Sequence, residues 1–489
     1  MTTTLLINIT ASETRLAYLE EGVLQEIQIE RETKRSIVGN IYQGHVKRVL
    51  PGIQAAFIDI GLDKAGFLHA KEIKPDRMKK NESHHFQSSD ITQQVYQGQY
   101  LMVQVVKDLL GSKGALLTKD IRLPSRYLVM MPGVQHVGVS QRIKNEKERE
   151  RLKNIVTLSC DQTLGFIIRT AAENICEEKL SADVLFLQRL WQDVLAKKKC
   201  NHAKIRQLYA EHPLSSRILR DFAVTELDHI LIDSKLTYDQ LLAFTDKCMP
   251  EIKSKLQHYT ASPPLFEKYN VENEIQHSLN RKVSLKSGGY LIIDQTEALT
   301  VIDINTGSSV GYHNLDETIF NTNLEATQAI ARQLRLRNLG GIIIIDFIDM
   351  RNKQHRESVL TSLQEALSKD RVQTTISGFS PLGLVEMTRK RTRESIGQVL
   401  LCHDCLTCQG KGRVKSAETV CYEILRKIVE MHRNNDANGF VVSASPSVGE
   451  KLQSKEFGAL TEIVNFVGKS IKVQINPLYS PENFDVVTM

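Results

Sequence analysis

Nowhere in this chain of 489 residues do apolar side chains run on for the roughly 20 positions that a membrane-spanning helix needs. The start, Met1-Thr-Thr-Thr-Leu-Leu6, has neither the basic patch nor the long apolar core of a secretory signal. Tryptophan occurs once, and the eight cysteines are scattered apart from one group of three. Scattered thiols without an export signal fit a reduced, cytoplasmic setting and exclude a disulfide scaffold. GxxxxGK[ST] and HExxH are both missing, which removes most of the case for a P-loop nucleotide hydrolase or a zinc protease. Charge of one sign is also scarce: 63 Lys and Arg against 57 Asp and Glu leave +6, a weak pointer to an anionic partner. The length allows two to four domains, each able to bury a core.

What is there concentrates in residues 286–350. Two short stretches of apolar β-formers, Lys286–Asp294 and Ala298–Asn305, flank Gln295-Thr-Glu297 and predict a hairpin. Residues 315–337 carry Phe320, Leu324, Ala331 and Leu334 near helical spacing, with Asn, Gln and Arg on the other faces. Gly340-Gly341 is expected to stop that helix. The four Ile that follow, up to Asp346, predict a buried strand. A helix linking two strands in this way predicts a parallel pair, so Asp303 and Asp346 leave the sheet at one edge, with Asn305 on the same face as Asp303. Such an edge binds ligands in α/β folds, and two carboxylates with an amide suit a magnesium ion. Acids at strand ends also serve as plain caps and turn residues.

Ahead of this stretch, residues 4–30 predict three strands, too few to stand alone, which must join a sheet supplied from elsewhere. From Val38 to Leu123, short strands with Gly turns predict a small barrel of the OB type. Phe57 and Phe67 interrupt its aliphatic strands, and Lys107, Lys113, Lys119 and Arg122 follow. They form either a stacking platform for single-stranded nucleic acid or, for the rings, plain core. Residues 74–90 read as an exposed loop. Gly165-Phe-Ile-Ile-Arg169-Thr170 ends a strand in a cation and a hydroxyl, which suits one phosphate group or a structural ion pair with a cap. Residues 142–158, 182–209 and 215–260 read as helical, with Trp191 in the core, and 353–369 predicts a further helix. Arg389-Lys-Arg391-Thr-Arg393 is a phosphate-binding patch or a solvated helix end. Cys402-His-Asp-Cys405-Leu-Thr-Cys408-Gln-Gly resembles half of a zinc knuckle. Two or three thiolates fall short of the four that zinc takes, so His403 or a second chain must complete the site. A redox dithiol is the competing reading, against which stands the lack of a recognisable thioredoxin-like unit around it. The last 70 or so residues read as a small α/β piece.

The blocks Ile29-Glu-Arg-Glu32, Gly39-Asn-Ile-Tyr-Gln-Gly44, Ala55-Ala-Phe-Ile-Asp-Ile-Gly61, Phe166-Ile-Ile-Arg-Thr-Ala171, Ile302-Asp-Ile-Asn305, Phe320-Asn-Thr-Asn-Leu-Glu-Ala326, Ile330-Ala-Arg-Gln-Leu-Arg-Leu-Arg337 and Ile345-Asp-Phe-Ile-Asp-Met350 resemble, in order, the ribonuclease E/G family of bacterial endoribonucleases. The resemblance covers essentially the whole chain. It implies an α/β multidomain protein: an RNase H-like subdomain at 1–35 and 215–278, an inserted OB-type RNA-binding barrel at 36–123, and a 5′-sensor region at 124–214. A DNase I-like catalytic subdomain at 279–400, a zinc link at 401–415 and a small C-terminal dimerisation domain at 416–489 follow.

By the same resemblance Asp303 and Asp346 hold a catalytic Mg²⁺ assisted by Asn305, and Phe57, Phe67 and Lys113 grip RNA. Arg169 and Thr170 receive a 5′-monophosphate, and Cys405 and Cys408 bind a Zn²⁺ shared between two chains. Leu406 stands where the family often has Pro, and Cys402 is an extra thiol that leaves open which thiols bind zinc. The chain stops without the long disordered arm of some members, which points to the shorter branch of the family. The implied activity is magnesium-dependent hydrolysis of single-stranded RNA to 5′-phosphate and 3′-hydroxyl ends, favouring 5′-monophosphorylated substrates, in ribosomal RNA maturation and mRNA decay. The alternative is a non-catalytic RNA-binding scaffold of the same fold.

Overall fold

The computed structural model describes residues 2–73, 90–108, 114–161, 163–199, 204–221, 227–307, 315–401, 403, 405–434, 437–454 and 458–489. They form two compact units, Met1–Ile396 and Gly397–Met489. Among the described residues no helix is long and apolar enough to cross a membrane.

The first unit begins with the strands Thr3–Ile9, Glu13–Glu20 and Val23–Arg31, paired as an antiparallel meander. As three strands without a partner require, the sheet is completed from elsewhere. His229–Ile232 pairs in parallel with Thr3–Ile9, and Leu256–His258 pairs in parallel with His229–Ile232. Residues 215–260 are therefore not all helical: these two strands alternate with the helices Leu214–Asp221 and Lys235–Cys248. Strands of three or four residues are too short to print a period of two over the helical pattern around them.

The expected barrel is present. Ile41–Leu50, Ala55–Asp59, Gly66–His69, Leu116–Thr118 and Tyr100–Lys107 pair in that order, and Tyr100–Lys107 closes back onto Ile41–Leu50. Leu116–Thr118 escaped the sequence reading because it is three residues long. The helix expected over 182–209 ends sooner, as Glu177–Lys199, and Arg206–Tyr209 returns as a strand on the barrel edge. Beside the barrel, Leu128–Pro132 and Leu164–Ile168 lie at the middle of a four-stranded sheet, backed by that helix and by Glu146–Ser159. Ile41 and Leu208 of the barrel share its apolar core, so the two regions pack as one body.

The last sheet of the unit has the order Lys282–Ser284, Tyr290–Gln295, Leu299–Asn305, Gly341–Asp346, Leu384–Arg389, Thr374–Phe379. The predicted hairpin is there, and the helix Leu315–Leu336 crosses over between two parallel strands as expected. That helix and Lys353–Ser368 cover one face only. Ile302, Ile304, Ile343, Ile345, Val385 and Met387 pack there against Ala326, Ile330, Leu334, Val359 and Leu363. The run of four Ile is consequently not a fully buried strand. Ile343 and Ile345 are fully enclosed, whereas Ile342 is 51% exposed on the open face. Gly340-Gly341 does not cap the helix either. Asn338 does, at φ 50°, with Leu339 N–H donating to Leu334 O (3.1 Å) and Asn338 N–H to Arg335 O (3.2 Å). This is the Schellman arrangement, in which Asn tolerates the left-handed backbone.

In the second unit Gly439–Ala444 lies between Ser470–Ile475, parallel to it, and Phe484–Thr488, antiparallel. The helix Ala417–Asn434 lays Val420, Ile424, Leu425 and Ile428 against Phe440 and Val442.

Candidate functional site

Asp303 and Asp346 are register partners on adjacent parallel strands, which puts their backbones about 4.8 Å apart with both carboxylates on the open face. Their neighbours in sequence, Ile302, Ile304 and Ile345, are buried on the opposite face, so alternation alone aims the acids outward. Asn305 joins them, its Nδ2 donating to Asp303 Oδ2 at 2.9 Å. Just beyond, Gly307 sits at φ 57°, where a Cβ would come within 2.4 Å of Gly288 O, so only glycine lets the two loops meet beside Asn305. Asp349, three residues after Asp346, is a further acid here, exposed like Asp346 while Asp303 is half-buried, and no strand or helix period of the sequence marks it.

Among the described residues no lysine or arginine forms an ion pair with Asp303, Asp346 or Asp349. Burial first, then the charges of Asp303 and Asp349, pushes the Asp346 carboxyl above the usual carboxylate range. Nearby Arg281 is engaged instead by Asp294, at 2.5 and 2.6 Å. Arg281 still feels the charge of Asp303, but neighbouring carboxylate oxygens on an open face are of the kind that a hard divalent cation takes, with water and phosphate oxygens filling the remaining positions.

On the barrel, Phe57 and Phe67 are register partners, their ring centroids 5.8 Å apart and inclined at 67°. Neither belongs to the barrel core, which is built from Ala56, Ile58, Leu68 and Val103 on the alternate positions. That decides against the core reading of both rings. Following the pairing across the sheet gives Arg48, Phe57, Phe67, Leu116 and Lys107 in one row, a cation at each end and apolar groups between. Arg48 and Lys107 are exposed. Lys113 lies outside the described residues.

Arg169 and Thr170 follow the strand Leu164–Ile168 as expected. The Arg169 guanidinium is half-buried and donates to Ser125 O at 2.7 Å. Thr170 is exposed, and its hydroxyl lies 3.3 Å from that of Ser140, a residue absent from the sequence reading. Burial pushes the Asp183 carboxyl above the usual range against the opposing charges of Arg126 and Arg169, so an acid lies close to the Arg169 guanidinium.

The cation run splits. Arg389 is buried, bonded to both oxygens of Asp370 (2.7 and 3.3 Å) and to Leu339 O (2.7 Å), and is structural, not phosphate-binding. Arg391 donates to Gly340 O and Ala298 O.

In the second unit Cys405 and Cys408 bracket a tight turn. Gln409 N–H donates to Cys405 O at 2.7 Å and Lys411 N–H to Cys408 O at 2.9 Å. The Cys408 and Thr407 backbone N–H groups aim at the Cys405 sulfur and hold its thiol below the usual range. Cys402 lies outside the described residues, and Cys421 is fully buried in its helix. Among the described residues no three His, Cys, Asp or Glu converge on one metal position.

Comparison with known proteins decides the family. The Ribonuclease E/G family matches residues 122–392, more than half of the chain. The chain belongs to the ribonuclease E/G family. Ribonuclease G of Salmonella typhimurium (strain SL1344) is 63% identical over 491 aligned residues, covering 100% of both chains. Ribonuclease G of Haemophilus influenzae is 56% identical over 488, covering 99% of each. Ribonuclease E of Escherichia coli (strain K12) is 37% identical over 431, covering 87% of this chain and 40% of that protein. An S1 RNA binding domain matches residues 35–108, which hold the Arg48–Phe57–Phe67–Lys107 row.

An RNase E/G thioredoxin-like domain matches residues 404–489. This corrects the expectation that no thioredoxin-like unit surrounds the cysteines. The redox reading gains nothing from it: Cys405 and Cys408 lie in a turn before the first helix of the unit, Ala417–Asn434, and not at its N-terminus, where a helix would activate a redox thiol.

Proposed function

We propose that this endoribonuclease of the ribonuclease E/G family hydrolyses single-stranded RNA at the Asp303–Asp346 end of its last sheet, with both carboxylates holding a magnesium ion. The observation that carries this reading is the register pairing of two acids on an open sheet face, with no described lysine or arginine in an ion pair with either. A magnesium ion held there would make a bound water acidic enough to attack phosphorus and would neutralise charge on the phosphoryl oxygens. The protein's part is orientation. The Asn305 amide fixes one oxygen of Asp303, and the high proton affinity of Asp346 reflects burial first and then repulsion by Asp303 and Asp349, which a cation would offset.

Substrate is gripped on the barrel by Phe57, Phe67 and Lys113, the rings stacking on bases and the cations following the backbone. Arg169 and Thr170 receive a 5′-monophosphate, which a guanidinium and a hydroxyl suit, and this favours 5′-monophosphorylated RNA. Cys405 and Cys408 bind zinc shared with a second chain, making a homodimer. In this reading 1–35 with 215–278 is an RNase H-like subdomain, 279–400 is DNase I-like, and the enzyme acts in the cytoplasm on ribosomal RNA precursors and messages. The test is to cut a defined oligoribonucleotide with and without Mg²⁺ and to map the ends. Magnesium-dependent 5′-phosphate and 3′-hydroxyl ends are expected. Metal-independent cleavage to 2′,3′-cyclic phosphates overturns the mechanism.

A further inference from the structure

Asn323 stands near the middle of the helix Leu315–Leu336 and is fully buried, on the side facing the sheet. Burying an amide costs free energy unless both its ends are paired. They are, and both by one residue. Asn323 Nδ2 donates to Ile348 O at 2.9 Å, and Ile348 N–H donates to Asn323 Oδ1 at 3.1 Å. Ile348 lies two residues after Asp346 and one before Asp349. The loop around it is pinned on either side: Phe347 and Met350 are buried, and Arg356 Nε donates to Met350 O at 2.7 Å. Its free parts are therefore the Asp346 and Asp349 side chains, both exposed. The same helix holds the opposite rim of the site, since Glu325 accepts from the Lys286 and Ser287 backbone N–H groups at 2.5 and 3.2 Å.

We infer that Asn323 is a positioning residue of the reaction, clasping the 346–350 loop so that Asp346 meets the metal with its direction already set. The inference deepens the proposed function and rests on its metal reading. A two-point amide clasp fixes both the position and the tilt of the Ile348 backbone, which one hydrogen bond or an apolar contact would not. Ligands oriented from behind bind their metal more tightly because less order has to be imposed on binding.

The test needs no turnover. Mn²⁺ binding to the full-length protein without RNA is followed by electron paramagnetic resonance for wild type, Asp346→Asn and Asn323→Leu, a variant that keeps the volume but loses both bonds. Wild type is expected to bind, Asp346→Asn to lose the site, and Asn323→Leu to bind about 10- to 100-fold more weakly while its RNA affinity stays at the wild-type value. Wild-type Mn²⁺ affinity in Asn323→Leu overturns the inference and leaves the metal reading standing. Unchanged binding in Asp346→Asn overturns the metal reading and the inference with it. Should Asn323→Leu fail to fold, hydrogen exchange of the Ile348 amide in wild type decides. Exchange only through global unfolding, slowed further by Mn²⁺, upholds the clasp, and exchange at the rate of an open loop overturns it.

Discussion

Asp303 and Asp346 end two adjacent strands with Asp349 just beyond, and burial together with their repulsion gives Asp346 a measurable signature. The Asp346 proton is held more tightly in the folded protein than in the unfolded chain. Without metal, the folded state therefore binds more protons through the interval above the ordinary carboxylate pKa. The contribution of Asp346 to stability is fullest below that interval and falls as pH rises through it. On the proposed metal reading cleavage should run the opposite way, because a protonated acid would not hold the cation, so activity is expected to fall as pH falls through the same interval. Asp349→Asn removes one of the two repelling charges and should move the acid limb of the rate profile to lower pH. An unmoved limb would show that Asp349 is not felt at the site. At the 5′ pocket, Arg169→Ala should abolish the preference for 5′-monophosphorylated over 5′-hydroxyl RNA while sparing slow basal cleavage, and a retained preference would place the pocket elsewhere. Asp303 and Asn305 were legible in the sequence because strand alternation fixes their face. Asp349 was not, since it lies in a loop where no period constrains direction, and Asn323 was hidden because a polar residue on a helix reads as solvated.

At the scale of elements, the helix Leu315–Leu336 explains where sequence periodicity stopped being informative. Its arginines read as an outer polar face, yet Arg335 is buried against the N-terminal sheet, bonded to Glu20 (3.1 Å) and Glu26 (3.0 and 3.2 Å). Arg332 donates to Leu24 O at 3.0 Å. The helix is covered from both sides, and a one-face template cannot express that. Arg335→Ala, which strands both glutamates, should lower unfolding stability by about 1.5–3 kcal/mol in denaturant titration. The barrel offers the contrasting case. Phe57 and Phe67 project outward and Ile58 inward, so the two classes of substitution should separate cleanly. Phe57→Ala should weaken single-stranded RNA binding by about 1–3 kcal/mol with little change in melting temperature. Ile58→Ala should cost about 2–5 kcal/mol of stability. A Phe57→Ala protein that melts early and binds RNA normally would return that ring to the core.

Across the whole molecule, the sheets the sequence could not close were those assembled from distant segments, such as residues 3–31 with 229–258. Pairing over some 225 positions leaves no local pattern, and it was announced only by the lack of a partner for the N-terminal strands and by the family resemblance, which joins 1–35 to 215–278. The cysteines raise the same issue between chains. On the proposed zinc reading Cys405 and Cys408 would supply two thiolates where tetrahedral zinc takes four, and a two-fold pair of chains would supply the rest. Metal analysis should give about half a zinc per chain, whereas a site completed within one chain by Cys402 would give about one. Cys405→Ser should shift sedimentation toward monomer and Cys402→Ser should not. A Cys405→Ser protein that lacks zinc and stays dimeric would show that other contacts hold the pair.

The central claim is that Asp303 and Asp346 serve the chemistry and not the grip on RNA. It is tested most directly by measuring cleavage rate and RNA affinity on the same single-stranded oligoribonucleotide for wild type, Asp303→Asn and Asp346→Asn, in limiting Mg²⁺. Each substitution keeps the side-chain shape and removes one charge from the pair. The account predicts a rate lower by about two or more orders of magnitude in both variants, with an unchanged dissociation constant for RNA. Near-normal cleavage by either variant, or a loss of rate matched by an equal loss of affinity, would contradict it.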